Sequence, residues 1–302
     1  MRRAALLLAF GCALLTACGG SDQGGAGPVP EARLSDRLVD FSKDPPYVNA
    51  LDIDPADGVF LLTTNRGFWR IDADSGEVEQ VRGRITAQGK SATVGTFLEL
   101  LATGPGTLIG SGHPDEEGSL PAFLGFIESR DGGRSWSVIA RLGDADLHKI
   151  VSKHDRLYAF DAVLGALLVS TDGGRSFTEH FTPRGLIIDF EVDPADPDKI
   201  VASTEKQLFV STDGGDRWRG LDQGDGIRLA WPAARALYRA EVDGTVGLSV
   251  DGGASWEDVG KVPGEPYKFK PLDAERLYLA LSDGTIMGTR DGGRTWTEAF
   301  RP

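Results

Sequence analysis

Two short segments of the sequence place a histidine beside a carboxylate. His113 precedes Asp115, and Asp146 precedes His148. Imidazole nitrogens and carboxylate oxygens are frequent metal ligands, and a histidine near a carboxylate can also move protons or bind polar ligands. These four residues therefore predict a polar binding pocket or a metal site at His113 and His148. The alternative is that both are ordinary loop histidines that bond to backbone carbonyls.

A second set of side chains has the chemistry of glycoside hydrolysis. That reaction uses two carboxylates about 5–9 Å apart, and some sialidases use a tyrosine nucleophile. The catalytic candidates of these types are Asp115, Glu116, Asp189 and Tyr267. The sequence does not show whether any of them face the same cavity, so their grouping depends on the fold.

Five octapeptides of one pattern organise the chain around these residues. They are SRDGGRSW (Ser129–Trp136), STDGGRSF (Ser170–Phe177), STDGGDRW (Ser211–Trp218), SVDGGASW (Ser249–Trp256) and TRDGGRTW (Thr289–Trp296). Their aspartates, at 131, 172, 213, 251 and 291, are 41, 41, 38 and 40 residues apart. A period of about 40 residues is typical of repeat proteins, in which each unit packs on its neighbours.

The octapeptides themselves have the composition of hairpin turns. A carboxylate can accept backbone N–H bonds, and the two glycines allow positive φ. The aromatic residue at the end begins the next strand and supplies a large apolar area. Because an active site is needed once and a structural turn in every unit, the repetition favours a structural role for all of these residues. They are Asp131, Asp172, Asp213, Asp251 and Asp291, with Trp136, Trp218, Trp256 and Trp296.

This pattern resembles the Asp-box, or bacterial neuraminidase repeat, S-x-D-x-G-x-[ST]-W, of sialidase-like and sortilin-like proteins. Phe177 replaces the tryptophan in one copy, and Arg217 replaces the hydroxyl residue in another. The resemblance covers about residues 47 to 300 and implies a β-propeller. It does not imply one function, since such propellers include enzymes and binding proteins.

A second resemblance is to exported bacterial lipoprotein propellers labelled glycosyl hydrolases. It rests on the stretches ATGPGTLIGSGHPD, LGFIESRDGG and DADLHKI. Members of that group often open the first blade with H-x-H-G, where this chain has Tyr47-Val48-Asn49-Ala50. This departure puts a shared multi-histidine site in doubt.

The predicted fold is all-β: a six-bladed β-propeller over residues 47–302, built of four-stranded antiparallel blades with Asp-box hairpins. The first unit keeps only a decayed box at Asp72–Gly76, and the second is longer, with extra residues in 82–94 and 112–121. In such blades, the loop entering each blade and the loop between its second and third strands share one side, here called the top face. The binding residues predicted there are His113, Asp115, Asp146, His148, Asn49 and Arg228.

The first 46 residues predict export. Residues 1–17 combine Arg2 and Arg3 with an apolar run, as a signal peptide does. The sequence Leu15-Thr16-Ala17-Cys18 resembles a bacterial lipobox, which implies cleavage before Cys18 and lipidation of it. Residues 18–46 then form a flexible tether, within which Leu38–Phe41 could instead be a strand that closes the ring. The expected protein is anchored by lipid to the cell membrane, with its propeller outside the cytoplasm.

Charge and composition limit the classes of partner that the protein is expected to bind. The formal net charge is −13 with 32 Lys and Arg residues, a poor match for nucleic acid. No cofactor is expected, and the propeller is expected to be a monomer. The favoured interpretation is a binding or assembly module without chemistry of its own, which uses the top face for a protein or glycan. The alternative is a glycoside hydrolase that uses top-face carboxylates.

Overall fold

A computed structural model describes residues 47–96, 98–116, 118, 120–183, 186–223 and 227–302, with backbone only at 222 and 223. Within these ranges, every regular element is a β-strand. None of the described residues forms a helix with the length and apolar character needed to cross a membrane. The predicted signal peptide, Cys18, the tether and Leu38–Phe41 lie outside the described residues.

The described strands form six sheets, one for each repeat, which are called blades one to six in chain order. Blade one contains β1 (Val48–Ile53), β2 (Phe60–Thr64), β3 (Gly67–Asp72) and β4 (Glu77–Val81). Blade two contains β5 (Gly83–Ala87), β6 (Lys90–Val94), β7 (Leu98–Gly104), β8 (Thr107–Gly112), β9 (Phe126–Ser129) and β10 (Ser135–Ala140). Blade three contains β11 (Leu147–Lys153), β12 (Arg156–Asp161), β13 (Ala166–Ser170) and β14 (Thr178–His180).

The second half of the ring repeats the same order. Blade four contains β15 (Ile187–Asp193), β16 (Asp196–Thr204), β17 (Gln207–Ser211) and β18 (Arg219–Gln223). Blade five contains β19 (Arg228–Ala233), β20 (Ala236–Ala240), β21 (Thr245–Ser249) and β22 (Glu257–Lys261). Blade six contains β23 (Pro266–Pro271), β24 (Leu277–Leu281), β25 (Ile286–Thr289) and β26 (Thr297–Phe300). In every blade except blade two, consecutive strands pair antiparallel, and the six sheets confirm the predicted six-bladed propeller.

Blade two differs from the predicted four-stranded pattern. Its strand order is β6-β5-β10-β9-β8-β7, because residues 83–94 form a hairpin that adds β5 parallel to β10. The other extra stretch, within residues 112–121, covers β6, the edge strand of this hairpin. The Thr93 N–H and hydroxyl donate to the Glu116 carboxylate, and the Asp115 N–H donates to the Thr93 carbonyl. The two insertions therefore pack on each other, and together they pair an edge strand that would otherwise be open.

The first strand of each repeat forms the ring and its central channel; in blade two this strand is β7, because the hairpin of β5 and β6 is inserted before it. Each of β1, β7, β11, β15, β19 and β23 contacts the next, and β23 returns to contact β1. Blades one and six meet through side chains, with the Phe60 and Tyr278 rings 4.9 Å apart and Trp69 buried in the same cluster. In the described residues, blades one and six each complete four strands from their own repeat, so the ring is closed here by packing.

The octapeptide turns carry the hydrogen bonds that their composition predicts. In the first, the Ser129 hydroxyl donates to Asp131 at 2.9 Å, and the Ser135 N–H donates to the same carboxylate at 2.8 Å. The hydroxyl-to-carboxylate bond measures 2.7–2.9 Å across all five copies. At Asp172, hydrogen bonds from the Ser176 hydroxyl and N–H hold the carboxyl pKa well below its usual value.

The second glycine of these turns lies against the preceding blade. A Cβ at Gly133 would meet the Phe68 ring at 2.3 Å, and one at Gly174 would meet the Phe126 ring at 2.1 Å. Gly133 and Gly174 have φ of 90° and 85°, which L side chains rarely adopt. Phe68 lies on β3 of blade one, and Phe126 lies on β9 of blade two. Each of these turns thus fastens its own blade to the one before it.

Candidate functional site

The top end of the channel opens into a cavity of about 560 Å³, here called the mouth cavity. Every blade contributes to its wall near the start of its first strand, with blade four represented by Ile188 and its neighbours. The polar or aromatic members are Tyr47, Asn49, Glu99, Ser111, His113, Asp146, His148, Lys149, Phe160, Arg228, Tyr267 and Lys268. A narrower space of about 260 Å³ continues down the channel and is lined by Asp189, Glu191 and Lys153 among others. The mouth cavity is the candidate site.

β-Bulges at the start of four first strands shape this wall. In blade one, Val48 pairs with Thr64 and Ala50 with Thr63, so Asn49 is the extra residue. The same irregularity makes His148, Ile188 and Tyr267 the extra residues of blades three, four and six. A bulge breaks the alternation of side chains and redirects one of them. All four bulged residues line the mouth cavity.

One residue beyond the bulges, ion pairs cross between blades. Lys149 lies 2.8 Å from Asp189, and Lys268 lies 2.9 Å from Glu99. The Asp189 side chain is only 6% exposed and also accepts the Leu229 N–H. Deeper in the channel, Lys153 contacts Glu191 at 2.7 Å and Lys270 contacts Asp52 at 2.5 Å. These four lysine–carboxylate pairs neutralise the channel.

Burial shifts the pKa values of charged groups in these pairs. Burial raises the pKa of Glu99, although the Lys268 ammonium opposes the shift. For Lys149, burial alone disfavours the charged form, but the carboxylates of Asp189 and Glu191 outweigh it and raise the pKa above its usual value. Lys149 is therefore a fixed positive charge.

Two hydrogen-bond donors at the mouth cavity lack acceptors. The buried Nε of Arg228 and the buried Nδ2 of Asn49 have no hydrogen-bond partner. The Arg228 guanidinium stacks on the Tyr267 ring, with its carbon 5.0 Å from the ring centre. In the part of the chain that the structure describes, Arg228 makes no ion pair with a carboxylate. Neither atom can be reached from the cavity in this conformation, so a ligand would contact Arg228 through its terminal guanidinium nitrogens, which are not among the buried atoms.

The structure brings His113, Asp146 and His148 together at the rim. His148 Nε2 lies 2.9 Å from one Asp146 carboxylate oxygen, and His113 Nε2 lies 3.7 Å from the other. His113 also bonds through Nδ1 to the Ala122 carbonyl at 2.8 Å. The pKa of His148 is raised, chiefly by the hydrogen bond to Asp146 and against the effect of burial. No group of three or more His, Cys, Asp or Glu residues is arranged as metal ligands within the described residues.

We expect Asp146→Asn to lower the pKa of His148, because the substitution removes the charge that stabilises the imidazolium. Since the folded-state pKa is raised, this contact stabilises the protein fully below the ordinary histidine pKa of about 6.5. The stabilisation is lost as the pH rises through the folded-state pKa. Titration of the His148 ring protons by NMR measures the shift. Asp144→Asn, which removes an exposed charge from the same loop, is the control, and an equal shift there would contradict the assignment.

The four catalytic candidates are separated. Asp115 accepts the Thr96 N–H at 3.0 Å and Glu116 accepts the Thr93 N–H at 2.7 Å, and neither lines the mouth cavity. Asp189 faces the channel, where it is paired with Lys149. Tyr267 lines both spaces, and burial together with the Tyr47 hydroxyl raises its pKa, which opposes formation of a phenolate nucleophile.

The predicted binding residues are brought together except for Asp115. Asn49, His113, Asp146, His148 and Arg228 all line the mouth cavity. Sequence reasoning missed Glu99 and Lys149, which carry its central charges. A usable signal was present, since both stand at the start of the first strand of a repeat, in the same region as Asn49 and Asp189. Aligning the six strand starts would have selected them.

Comparison with known proteins identifies the fold. No protein-family model matches the chain, and no curated protein matches it significantly. Solved structures do match. YCF48 bound to D1 peptide is 14% identical, with 84% of this chain and 81% of that chain covered and a TM-score of 0.50.

Two further structures match over part of their length. The extracellular domain of a one-component system from B. thetaiotaomicron is 11% identical, with 83% and 39% covered and a TM-score of 0.52. An ancestral GH74 enzyme is 13% identical, with 81% and 36% covered and a TM-score of 0.53. This chain therefore spans well under half of those two proteins. At such identities, what the three structures share with this chain is the β-propeller fold.

Proposed function

We propose that this protein is a binding module that takes a ligand or protein partner in its mouth cavity and that is held outside the cytoplasm by a lipid on Cys18. The observation that carries the proposal is Arg228, an arginine without a carboxylate partner among the described residues, in the wall of a cavity of about 560 Å³. That volume lies within the range of small-ligand sites.

The state of the carboxylates favours binding over catalysis. Glycoside hydrolysis needs one carboxylic acid that protonates the leaving group and one carboxylate that is free to act as base or nucleophile. Here Asp189 is held by Lys149 and by the Leu229 N–H, and Glu99 is held by Lys268. A carboxylate already engaged by an ammonium is a weaker base and nucleophile. YCF48, which was solved with a D1 peptide, is an example of a similar propeller with a peptide ligand.

A second candidate function, glycoside hydrolysis, is supported by one feature. Burial raises the pKa of Glu99, and the nearby Asp189 charge adds to the shift. A buried glutamic acid beside a charged aspartate is the arrangement of an acid and its partner carboxylate. This candidate would use Glu99 and Asp189 as the acid and the partner, and it predicts turnover that Glu99→Gln abolishes.

Filling the cavity tests the binding function. Purified wild-type protein is screened on peptide and glycan arrays and against sialosides and aryl glycosides. We expect array binding without turnover, and we expect Ile188→Trp to abolish the binding because Ile188 lines the mouth cavity and the larger side chain would occupy part of it. The control is Val250→Trp, at a half-exposed position in an octapeptide turn. Turnover that Glu99→Gln abolishes would contradict the proposal. Ligand binding that both Ile188→Trp and Val250→Trp retain would contradict it too.

The lipid anchor is tested separately. We expect the full chain expressed in a bacterium to partition with membranes and to incorporate labelled palmitate. Cys18→Ser should lose the label, because it removes the thiol that is acylated. Label that persists in the Cys18→Ser protein would contradict anchoring at this residue.

A further inference from the structure

We propose that the mouth cavity is specific for a carboxylate group, which Arg228 and Asn49 bind and Tyr267 supports. The inference deepens the proposed function and rests on it, since it names the chemical class of the ligand. Its carriers are side chains of three adjacent blades: Arg228 of blade five, Tyr267 of blade six and Asn49 of blade one.

Arg228 is held in place before any ligand arrives. Its guanidinium lies over the Tyr267 ring at 5.0 Å, and Tyr267 is itself fixed by the Tyr47 ring at 5.1 Å in an edge-on contact. A guanidinium held over an aromatic face is restricted in orientation, and its N–H groups, which lie in its own plane, can donate two hydrogen bonds to one carboxylate. Such preorganisation lowers the entropy cost of binding.

The charged groups of the cavity favour a ligand that carries one negative charge. Glu99 is matched by Lys268, Asp146 by His148, whose pKa is raised, and Lys149 by Asp189 of the channel. Arg228 is the cation left over among the described residues that line the cavity. A carboxylate offsets that single charge, whereas a phosphate dianion would bring an excess charge close to Glu99 and Asp189.

The hydrogen-bond donors and the apolar wall suit an organic acid. The Arg228 guanidinium and the Asn49 side-chain amide belong to residues that line the cavity, and both groups are donors that suit a carboxylate oxygen. Val48, Leu147, Ile187 and Ile188 form an apolar part of the same wall. Burial of a carbon skeleton against this apolar part is favourable, and an inorganic anion has no carbon skeleton to bury.

The test uses four small probes with the full-length mature protein: N-acetyl-leucine, its uncharged amide N-acetyl-leucinamide, glucuronate and inorganic phosphate. Binding is measured by NMR titration. We expect at least one of the two carboxylates to bind, and the amide and phosphate to bind about tenfold more weakly or not at all, as loss of a charge-assisted pair predicts. Comparison of N-acetyl-leucine with glucuronate shows whether the skeleton is that of an amino acid or of a sugar acid.

Variants assign the binding to the named side chains. Arg228→Gln should weaken carboxylate binding about tenfold or more, and Asn49→Asp should weaken it too, because the added negative charge repels the ligand. Arg156→Gln is the matched control, since it removes an arginine whose partner, Asp198, is exposed. Circular dichroism shows whether each variant is folded. If Arg228→Gln is not folded, Arg228→Lys, which keeps the positive charge, is measured in its place.

The outcomes separate this inference from the proposed function. Equal affinity for phosphate or for the amide, or carboxylate binding that survives Arg228→Gln, would overturn carboxylate specificity. If array ligands are lost in Ile188→Trp and retained in Arg228→Gln, the binding function stands and the carboxylate site fails. If no array ligand depends on the mouth cavity, the proposed function fails with it.

Discussion

Replacement of Asp189 by asparagine is expected to lower the free energy of unfolding by about 3 kcal/mol or more. The substitution leaves the Lys149 ammonium, 2.8 Å away and with a side chain only 16% exposed, without its nearest counter-charge. Glu191, at 3.6 Å from the same lysine, compensates only in part because it already contacts Lys153. The measurement is the urea unfolding curve, with the slope compared to show that both proteins unfold in the same way.

The control for this prediction is Asp198→Asn. Asp198 also pairs with a basic side chain of blade three, Arg156, but the two side chains are 55% and 36% exposed. Exposed pairs contribute about 0–1 kcal/mol, so this variant should unfold close to wild type. Equal losses in the two variants would show that burial of the Lys149–Asp189 pair is not what makes it important.

Gly174→Ala is expected to destabilise the propeller by about 3 kcal/mol, of which only about 1 kcal/mol comes from the backbone. A Cβ at Gly174 would lie 2.1 Å from the Phe126 ring, which is fully buried between blades two and three. The ring cannot move without opening the packing of both blades. A domain of this size loses about 2–4 °C of Tm for each kcal/mol, so a drop of roughly 6–12 °C is expected in calorimetry.

The adjacent glycine is the natural control for this clash. Gly173 has φ of 76°, close to the 85° of Gly174, so an alanine at either position carries a similar backbone cost. A Cβ at Gly173 meets only the end of the exposed Arg175 side chain, at 3.2 Å. Gly173→Ala should therefore lose only about 1 kcal/mol. If the two variants melt together, the second glycine is not needed for close contact between blades.

Gly174, in a repeated turn, and Asp189, in the channel, differ in how far their roles can be predicted from sequence. The five Asp-Gly-Gly turns recur at nearly constant spacing, and each needs only its own residues to form its hydrogen bonds. Local chemistry of that kind is visible without coordinates, and it was sufficient to predict six blades. The extra hairpin at 83–94 was visible as added length, but its parallel pairing with β10 depends on an edge supplied by distant residues.

The mouth cavity was predicted only in part, for a physical reason. Topology places the start of each first strand on the top face, which was enough to select Asn49, His148 and Arg228. Which side chain of each strand start faces the channel depends on β-bulges at Asn49, His148, Ile188 and Tyr267, and a bulge reverses the alternation that sequence reasoning assumes.

The amino-acid sequence alone determined the repeat, the number of blades and the face on which unrepeated residues gather, because each of these follows from local turns and period. Tertiary structure alone decided which charges meet. Glu99 and Lys268 are 169 residues apart, yet lie 2.9 Å apart, because closure of the ring brings blades two and six to the same channel. It likewise left Arg228 without a carboxylate among the described residues, and the proposed ligand follows from that.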